Sequence, residues 1–462
     1  MAVKKVFVCQ SCGLEAPKWK GKCDGCQQWN TFMAEAVQAP QYEQDHAHLP
    51  VESLKGGDTE SFFSRISTGF SEIDRVCGGG LVAGSVTLVA GDPGIGKSTL
   101  LLQLACKLSK TIPVLYVSGE ESAGQIRLRA KRLGLQDAEV HLISTNQLDG
   151  VFSVLPSLFV PSSNSFRGFM IVDSIQTMML KEMGTTSGTL GQIRECMHHL
   201  ITLAKSTGLA IMVVGHITKE GTIAGPKLLE HMVDTVLYFE GDSNRPHRVL
   251  RTIKNRFGAT HEVGVFDMTE QGLKEVGNPS AFFLSHRHHG LAGSCIFPAI
   301  EGSRPLLVEF QALVAPSFLA SPRRSVVGSD YNRLSMILAI LEARCAIPFS
   351  KKDVFLTVLG GLKIVEPAAD LCVALALVSC MRKQAIPRGA IAFGEMGLTG
   401  EMYASSHSEH RLREAALLGF EQAFFPGIQG SIPFLHTLNH CPMNHVKDLM
   451  TWFRSPSIPP SS

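Results

Sequence analysis

The sequence predicts an α/β protein. A mainly parallel sheet wrapped by helices occupies the middle of the chain, a small cysteine-held module precedes it, and an α+β domain follows. Three observations carry this expectation. Apolar strand-like runs alternate with helix-like runs between about residues 86 and 216, the pattern of a parallel sheet covered on both faces. One strand-to-helix junction is GDPGIGKST, Gly91 to Thr99, which satisfies G-x-x-x-x-G-K-[ST] at every fixed position. Cys9-x-x-Cys12 and Cys23-x-x-Cys26 stand near the start, with a ten-residue loop between the pairs. At 462 residues the chain exceeds one ordinary core and divides into residues 1–33, a linker 34–64, 65–275 and 276–462.

Bulk composition narrows the class. A net charge of +2 with 18% charged residues rules out global polybasic character, so any nucleic-acid contact must come from local patches. The longest apolar stretch, around Leu371 to Val378, is shorter than the ~18–20 residues of a membrane span. Lys4 and Lys5 are followed only by Val6-Phe7-Val8 before a cysteine, which is not the apolar region of a secretory signal. Twelve cysteines in such a chain read as thiols and metal ligands. The expectation is a soluble, cytoplasmic, multidomain protein with no membrane partner.

In residues 1–33, each Cys-x-x-Cys knuckle turns two sulfurs toward one ion, and two knuckles complete a tetrahedral site. Cys9, Cys12, Cys23 and Cys26 are therefore the candidate ligands of a structural Zn²⁺. A redox role fits less well, because there are two pairs and no surrounding βαβ pattern. Bulky apolar groups are few nearby, Trp19, Trp29 and Phe32 among them, so the metal would supply the folding energy. Lys18, Lys20 and Lys22 lie between the knuckles, either as a solvated loop or as contacts to DNA or a partner. Residues 34–64, rich in Gln, Glu, His, Pro and Gly, read as a linker.

Residues 65–275 are organised by the glycine-rich loop. Val86 to Ala90 supplies the strand before it and Leu100 to Ala105 the helix after it. Gly91, Asp92, Pro93, Gly94, Ile95, Gly96, Lys97, Ser98 and Thr99 form the phosphate cradle, with backbone N–H groups and a helix N-terminus directed at the anion. Lys97 would reach the β- and γ-phosphates and Ser98 would help hold Mg²⁺. Further buried strands cover residues 113–117, 169–173 and 210–214, with a helical run from Gln125 to Arg132 and helical spacing from Leu190 to Ala204. Ligands in such sheets bind at the carboxyl ends of the strands. Asp173 ends one strand, as a Mg²⁺-shell carboxylate or a helix cap. Glu120 follows another and would orient the attacking water as general base, with Glu121 competing for the role. His216 ends a third, as a γ-phosphate sensor or a hydrogen-bonded turn histidine.

The run Lys254-Asn255-Arg256-Phe257-Gly258, KNRFG, resembles a signature of the bacterial RadA (Sms) family. YVSGEES (Tyr116–Ser122), QIRLRAKRLG (Gln125–Gly134) and LLEHMVDTVLYFEG (Leu228–Gly241) resemble the same family. Finger, ATPase core and C-terminal region occur in the family's order, so the resemblance spans nearly the whole chain. It implies a RecA-like ATPase using ATP and Mg²⁺. It further implies a DNA-dependent motor, active in DNA repair and recombination after damage, that drives branch migration by translocating on single-stranded DNA. A homo-hexameric ring is implied, with recombination intermediates, the RecA recombinase and a replicative helicase as partners.

The residues of KNRFG carry a compatible chemistry. Lys254 and Arg256 alternate along a strand-like run and would share one face, with Arg248 and Arg251 nearby. They would act in trans on a neighbour's γ-phosphate or bind DNA phosphates, the alternative being solvated surface charge. By RecA analogy, DNA-facing loops would be Thr177 to Thr189, with Lys181, and Ile217 to Lys227, with Lys219 and Lys227. Neither loop has an aromatic residue, so phosphate contacts would dominate there.

From residue 276 onward, Gly293 to Ile300 and Pro305 to Val314 read as paired strands, and Asn332 to Leu341 as a helix. The outline Glu366-Pro367-Ala368-Ala369-Asp370, an apolar helix and Gly394 to Glu401 resembles the proteolytic domain of Lon. Lon chemistry needs a serine activated by a lysine. The position matching the serine is Ala368, and no lysine lies between Lys383 and Lys447, so the matching base position, near Glu409 to Arg411, has none. The domain is therefore expected to be a non-proteolytic scaffold, with Arg323, Arg324, Arg333 and Lys351/Lys352 supplying DNA-binding charge. KaiC-type ATPases share the TGF…GGG…phosphate-loop outline, but they lack the finger and the Lon-like tail.

Overall fold

The computed structural model describes residues 4–9, 14–25, 27–37, 65–159, 168–216, 228–241, 247–284, 290–427 and 438–454. The chain separates into two compact units, residues 1–275 and 276–462. Among the described residues no helix is long and apolar enough to cross a membrane.

The N-terminal module is a three-stranded antiparallel sheet. β1 (Lys4–Cys9) pairs with β2 (Glu15–Ala16) and with β3 (Phe32–Val37). The β1–β3 ladder runs from Cys9↔Phe32 to Lys4↔Val37, so the module extends to Val37, four residues past the expected boundary. Six strand residues need six partners for their backbone groups, and cysteine spacing carries no trace of that requirement. Cys9, Ala16, Cys23 and Phe32 form its small core. Of the three aromatic residues expected nearby, only Phe32 is buried; Trp19 and Trp29 remain 54% and 69% exposed.

β4 (Arg65–Ile66) and β5 (Leu81–Val82) form a short antiparallel pair bracketing α1 (Ser71–Val76). The central unit then alternates β6 (Val86–Gly91), α2 (Lys97–Leu108), β7 (Val114–Ser118), α3 (Ala123–Arg132), β8 (Val140–Ser144), α4 (Leu148–Leu158), β9 (Phe169–Asp173), α5 (Leu190–Thr207) and β10 (Ala210–His216). It continues through α6 (Leu228–Met232), β11 (Thr235–Glu240), β12 (His247–Asn255), β13 (Val263–Thr269) and β14 (Gly272–Glu275). Sheet order is β14-β13-β12-β11-β6-β10-β9-β7-β8. The strands from β11 to β8 are parallel, and β12, β13 and β14 add an antiparallel extension.

Period-two burial explains why both faces are covered. Val89 and Leu237 point toward α2, where Leu101, Leu104 and Leu108 form one core. Val86, Leu88 and Ala90 point the other way, packing with Ile193, Met197 and Leu200 of α5. The edge strand β8 escapes the sequence reading because Val140–Ser144 is only half-buried and carries His141 and Ser144, so its apolar signal is weak.

The second unit holds a seven-stranded mixed sheet. Its elements are α7 (Pro279–Leu284), β15 (Ser294–Glu301), β16 (Arg304–Pro316), β17 (Arg324–Val327), α8 (Tyr331–Cys345), β18 (Lys352–Val358), α9 (Asp370–Arg382) and β19 (Ala390–Ala392). They are followed by β20 (Glu395–Met396), β21 (Met402–Tyr403), α10 (Ser408–Leu417), β22 (Gln422–Phe425), β23 (Asn439–Pro442) and α11 (Val446–Trp452). Sheet order is β17-β18-β16-β15-β19-β22-β23. The expected strand pair is the β15–β16 hairpin, in register from Ser294↔Gln311 to Glu301↔Arg304. The long apolar run Leu371–Val378 is α9, buried on every side as the core helix of this unit.

Candidate nucleotide site

β7, β9, β10 and β6 are neighbours in the sheet, so their carboxyl ends line up along one edge. Gly91 is opposite His216, and Ser118 opposite Asp173. The glycine-rich loop leaves β6 there and turns into α2 at Gly96, whose φ of 113° is left-handed and suits a residue without a side chain. Lys97 opens the helix and is 4% exposed. Its ammonium donates to the carbonyls of Gly91 at 2.7 Å and Asp92 at 2.9 Å. Burial lowers the Lys97 pKa, while Asp173, Asp92 and Glu120 oppose that shift. Ser98 follows on the first turn, half-buried.

Asp173 ends β9 and is buried. Its Oδ2 accepts from the Tyr116 hydroxyl at 2.6 Å, while Oδ1 is buried without a hydrogen-bond partner. The peptide bond between Asp173 and Ser174 is cis. Burial, Asp173 and a nearby Glu121 push the Tyr116 phenol well above its usual range, so it stays a donor. An unpaired carboxylate oxygen beside Lys97 and the α2 N-terminus is chemically suited to a hydrated divalent cation.

The link from β7 to α3 sets the two glutamates apart. Gly119 approaches the 175–177 turn so closely that a Cβ would lie 2.2 Å from Thr177 Oγ1. Ser122 caps α3 in a reciprocal box with Gln125. Between them, Glu120 faces the strand ends: its Oε1 accepts from Ser174 Oγ at 2.5 Å and meets His216 Nε2 at 3.0 Å. The His216 hydrogen bond leads in pulling the Glu120 pKa down to about 2, burial opposing and Ser174 assisting. Glu121 instead turns to Arg129 of α3 in an ion pair. The geometry thus separates the two competitors. A carboxyl held near 2 is a weak proton acceptor, so Glu120 is better suited to orient a water than to take its proton.

Three contributors were not singled out for the site from sequence: Tyr116, Ser174 and Arg248. Arg248 read as part of a surface basic patch, yet it is 5% exposed and donates from Nε to the carbonyl of Ile95 within the glycine-rich loop, at 3.0 Å. The signal available was its flanking by Val249 and Leu250 in a strand, which argues for burial as strongly as its charge argues against it.

The KNRFG run also departs from the expected common face. β12 ends at Asn255, and a bulge interrupts its pairing opposite Val236 and Leu237, so strand alternation does not reach Arg256. Lys254 Nζ donates to the carbonyls of Glu230, His231 and Val233 at 2.9, 3.1 and 2.7 Å, closing the end of α6. Burial comes first and Arg256 second in lowering its pKa. Arg256 is half-exposed and 3.5 Å from Asp234, whose other oxygen accepts from the Val86 N–H. Arg251 stands 3.6 Å from Glu240.

Of the expected DNA-facing positions, Lys181 is exposed in a short 3₁₀ turn (Lys181–Met183) anchored to Asp149. Lys219 and Lys227 lie outside the described residues. Arg323 is exposed, but Arg324 folds inward, donating to the carbonyls of Phe349, Arg323 and Lys352. Arg333 is likewise no free surface charge. It grips the buried Asp370 with two hydrogen bonds, at 2.8 and 2.5 Å, and reaches Glu395. A buried carboxylate needs a cation, and that requirement recruits an arginine that sequence assigns to the surface.

Ala368 is 3% exposed in a 3₁₀ turn ahead of α9. In α10, Arg411 is fully buried, paired with Glu366 and stacked near Phe297 and Phe393. Ala368 is the position that matches the Lon serine, and Arg411 closes the stretch from Glu409 near which the lysine would match.

In the N-terminal module, Cys9 and Cys23 are fully buried, each in a tight knuckle closed by backbone bonds to Leu14 and Gln28. Cys12 and Cys26 lie outside the described residues. Residues 7–34 match the family model of a rubredoxin metal-binding domain, and residues 57–222 match that of an AAA domain. The two buried cysteines and their knuckles fit a metal of that type.

Whole-chain relatives extend the comparison. The chain is 47% identical to the DNA repair protein RadA of Brucella abortus over 92% of each chain. It is 45% identical to that of Bacillus subtilis, again over 92% of each. Against the protein of Pseudomonas aeruginosa it is 44% identical, covering 92% of this chain and 93% of the relative. Identity of this depth over 92% of the chain shows that it belongs to the RadA (Sms) family of RecA-superfamily ATPases with a Lon-protease-like C-terminal domain.

Proposed function

We propose that the chain is a DNA-dependent ATPase of DNA repair and homologous recombination, driving branch migration by ATP-powered translocation on single-stranded DNA. The observation that carries the reading is the constellation of buried Lys97 and Asp173 with the more exposed Glu120 at the ends of adjacent parallel strands, in a chain whose relatives are DNA repair proteins.

Lys97 and the backbone N–H groups from Gly91 to Thr99 bind the triphosphate of ATP and orient it along α2. Mg²⁺, when bound, neutralises β- and γ-phosphate charge. Ser98 and the unpaired Oδ1 of Asp173 would hold it, and Tyr116 keeps Asp173 oriented. Glu120, steadied by Ser174 and His216, positions the attacking water. Arg256, more exposed than Lys254, acts on the γ-phosphate of a neighbouring subunit in a homo-hexameric ring, and Lys254 holds α6 in place beside it. Lys181, Lys219 and Lys227, with Arg323 of the second unit, contact DNA phosphates. Cys9, Cys12, Cys23 and Cys26 hold Zn²⁺. The C-terminal unit scaffolds the ring and does not hydrolyse peptides, since Ala368 has no hydroxyl and Arg411 is committed to Glu366. RecA recombinase and a replicative helicase are the proposed protein partners.

The test is ATP turnover with and without single-stranded DNA, alongside casein turnover. DNA stimulation without proteolysis supports the reading, and a DNA-indifferent rate overturns it.

A further inference from the structure

Tryptophan is scarce in this chain, with three residues in all. Trp452 packs edge-on against Phe424 at 5.0 Å, whereas Trp19 and Trp29 are 54% and 69% exposed on the N-terminal module. Large exposed aromatic surface is costly in water and asks for a partner. The two rings are not scattered. A Cβ built on Gly21 would lie 3.7 Å from Trp19 and 3.7 Å from Trp29, so both indoles converge over one glycine. Backbone geometry holds them there: Lys22 bridges to Trp29, and the Asn30 N–H donates to the Gly21 carbonyl at 2.7 Å.

Cations share the loop with the rings. Lys22 Nζ lies 5.9 Å from the centroid of Trp29, and Lys18 and Lys20 are exposed on the same loop. Asp24 offsets part of this charge by pairing with Lys20 at 2.5 Å. Flat apolar faces flanked by ammonium groups match a strand of unpaired nucleotides, whose bases stack and whose phosphates attract cations. A peptide partner would use the rings but has no general need of the cations. The 177–189 segment of the ATPase unit has no aromatic residue to offer a base.

We propose that Trp19 and Trp29, with Lys18 and Lys22, form a base-stacking site for single-stranded nucleic acid on the cysteine module. The proposal deepens the reading of the chain as a DNA-acting ATPase and rests on it. Gly21 keeps the space over which the rings meet, and the lysines add salt-dependent affinity without reading sequence.

The experiment uses the full-length, zinc-loaded protein and two fluorescently labelled probes of equal length, oligo-dT and the same backbone with a run of abasic sites. Wild type is expected to bind oligo-dT on the order of tenfold more tightly than the abasic probe, the scale of one or two stacked bases. Trp19→Ala/Trp29→Ala is expected to lose that ratio, while Trp19→Phe/Trp29→Phe retains most of it. Lys22→Gln is expected to flatten the salt dependence by about 0.7 in log–log slope. Metal content reports whether each variant keeps its module intact. If the alanine variant retains zinc and the wild-type ratio, the site is not there, even if the variant loses a protein partner. If the alanine variant loses zinc, the phenylalanine variant decides, and a full loss of the ratio there while zinc is retained overturns stacking by these rings. Wild type that binds neither probe overturns the proposed function together with this site. Wild type that binds oligo-dT and is stimulated by it, but does not discriminate the abasic probe, overturns this site alone.

Discussion

Removing one oxygen from Tyr116 tests how the metal-facing carboxylate is held. Tyr116→Phe keeps the buried ring and deletes the hydroxyl that donates to Asp173 Oδ2 at 2.6 Å. A hydrogen bond to an ionised group contributes about 1.5–3 kcal/mol. Asp173 is 4% exposed, so little water can replace that donor, and even the lower end of the range suffices for the estimate. With Oδ1 already unpaired, the variant carboxylate has no protein donor at either oxygen and is free to rotate. Roughly 1.4 kcal/mol of lost orientation corresponds to a tenfold weaker interaction. The expected result is an increase of about tenfold in the Mg²⁺ concentration giving half-maximal ATP turnover, with saturating rates less affected. Because burial and Asp173 hold the phenol protonated well above its usual range, the difference should not vary with pH between 6 and 9. A Mg²⁺ titration of turnover at fixed ATP measures it. Half-saturation within twofold of wild type would refute the assignment of Tyr116 as the residue that orients Asp173.

Four other outcomes are expected. Glu120→Gln should lower ATP turnover by on the order of a hundredfold, the scale for a reacting group misplaced by about 1 Å, while Glu121→Gln mainly loosens Arg129 and leaves turnover within a few-fold. Glu120 also predicts a pH effect. Its pKa is depressed from 4.5 to about 2, so its contribution to stability is complete above about 4.5 and disappears as pH falls toward 2, and the stability gap to Glu120→Gln should narrow over that window in acid denaturation curves. Lys254→Ala should cost on the order of 1 kcal/mol by uncapping α6, whereas Arg256→Ala should depress DNA-stimulated turnover with a smaller stability loss; chemical denaturation and ATPase assays on both variants would expose the opposite pattern. Arg411→Met should destabilise the C-terminal unit by about 3 kcal/mol, since it strands a carboxylate that is only 25% exposed, and adding Glu366→Gln should recover part of the loss in thermal unfolding.

What sequence conveys about this chain depends on how local each constraint is. The phosphate loop is legible because its glycines, its lysine and its helix start lie within nine residues, and each answers a backbone or charge requirement there. Asp173 and Glu120 are legible because apolar runs mark where buried strands end, and strand ends in a parallel sheet share one edge. Tyr116 is 57 positions from Asp173, and nothing in its neighbourhood marks its hydroxyl rather than its ring as the useful part. Arginine misleads more systematically. Arg248, Arg324, Arg333 and Arg411 all look like surface charge in a balanced composition, yet each donates to a carbonyl or carboxylate within its own unit. A guanidinium has five donors and a long stem, so it can serve an oxygen that the backbone geometry leaves unpaired far away in sequence. Lys254 does the same for three carbonyls at the end of α6. Charge counted along a sequence therefore overstates the surface available to a polyanion, and Trp19 and Trp29 show the reverse error, since aromatic rings expected beside a small core stand in solvent. The consequence for this chain is that affinity for DNA should rest on fewer cations than its sequence offers, and that its salt dependence should fall short of one phosphate contact for every candidate lysine and arginine.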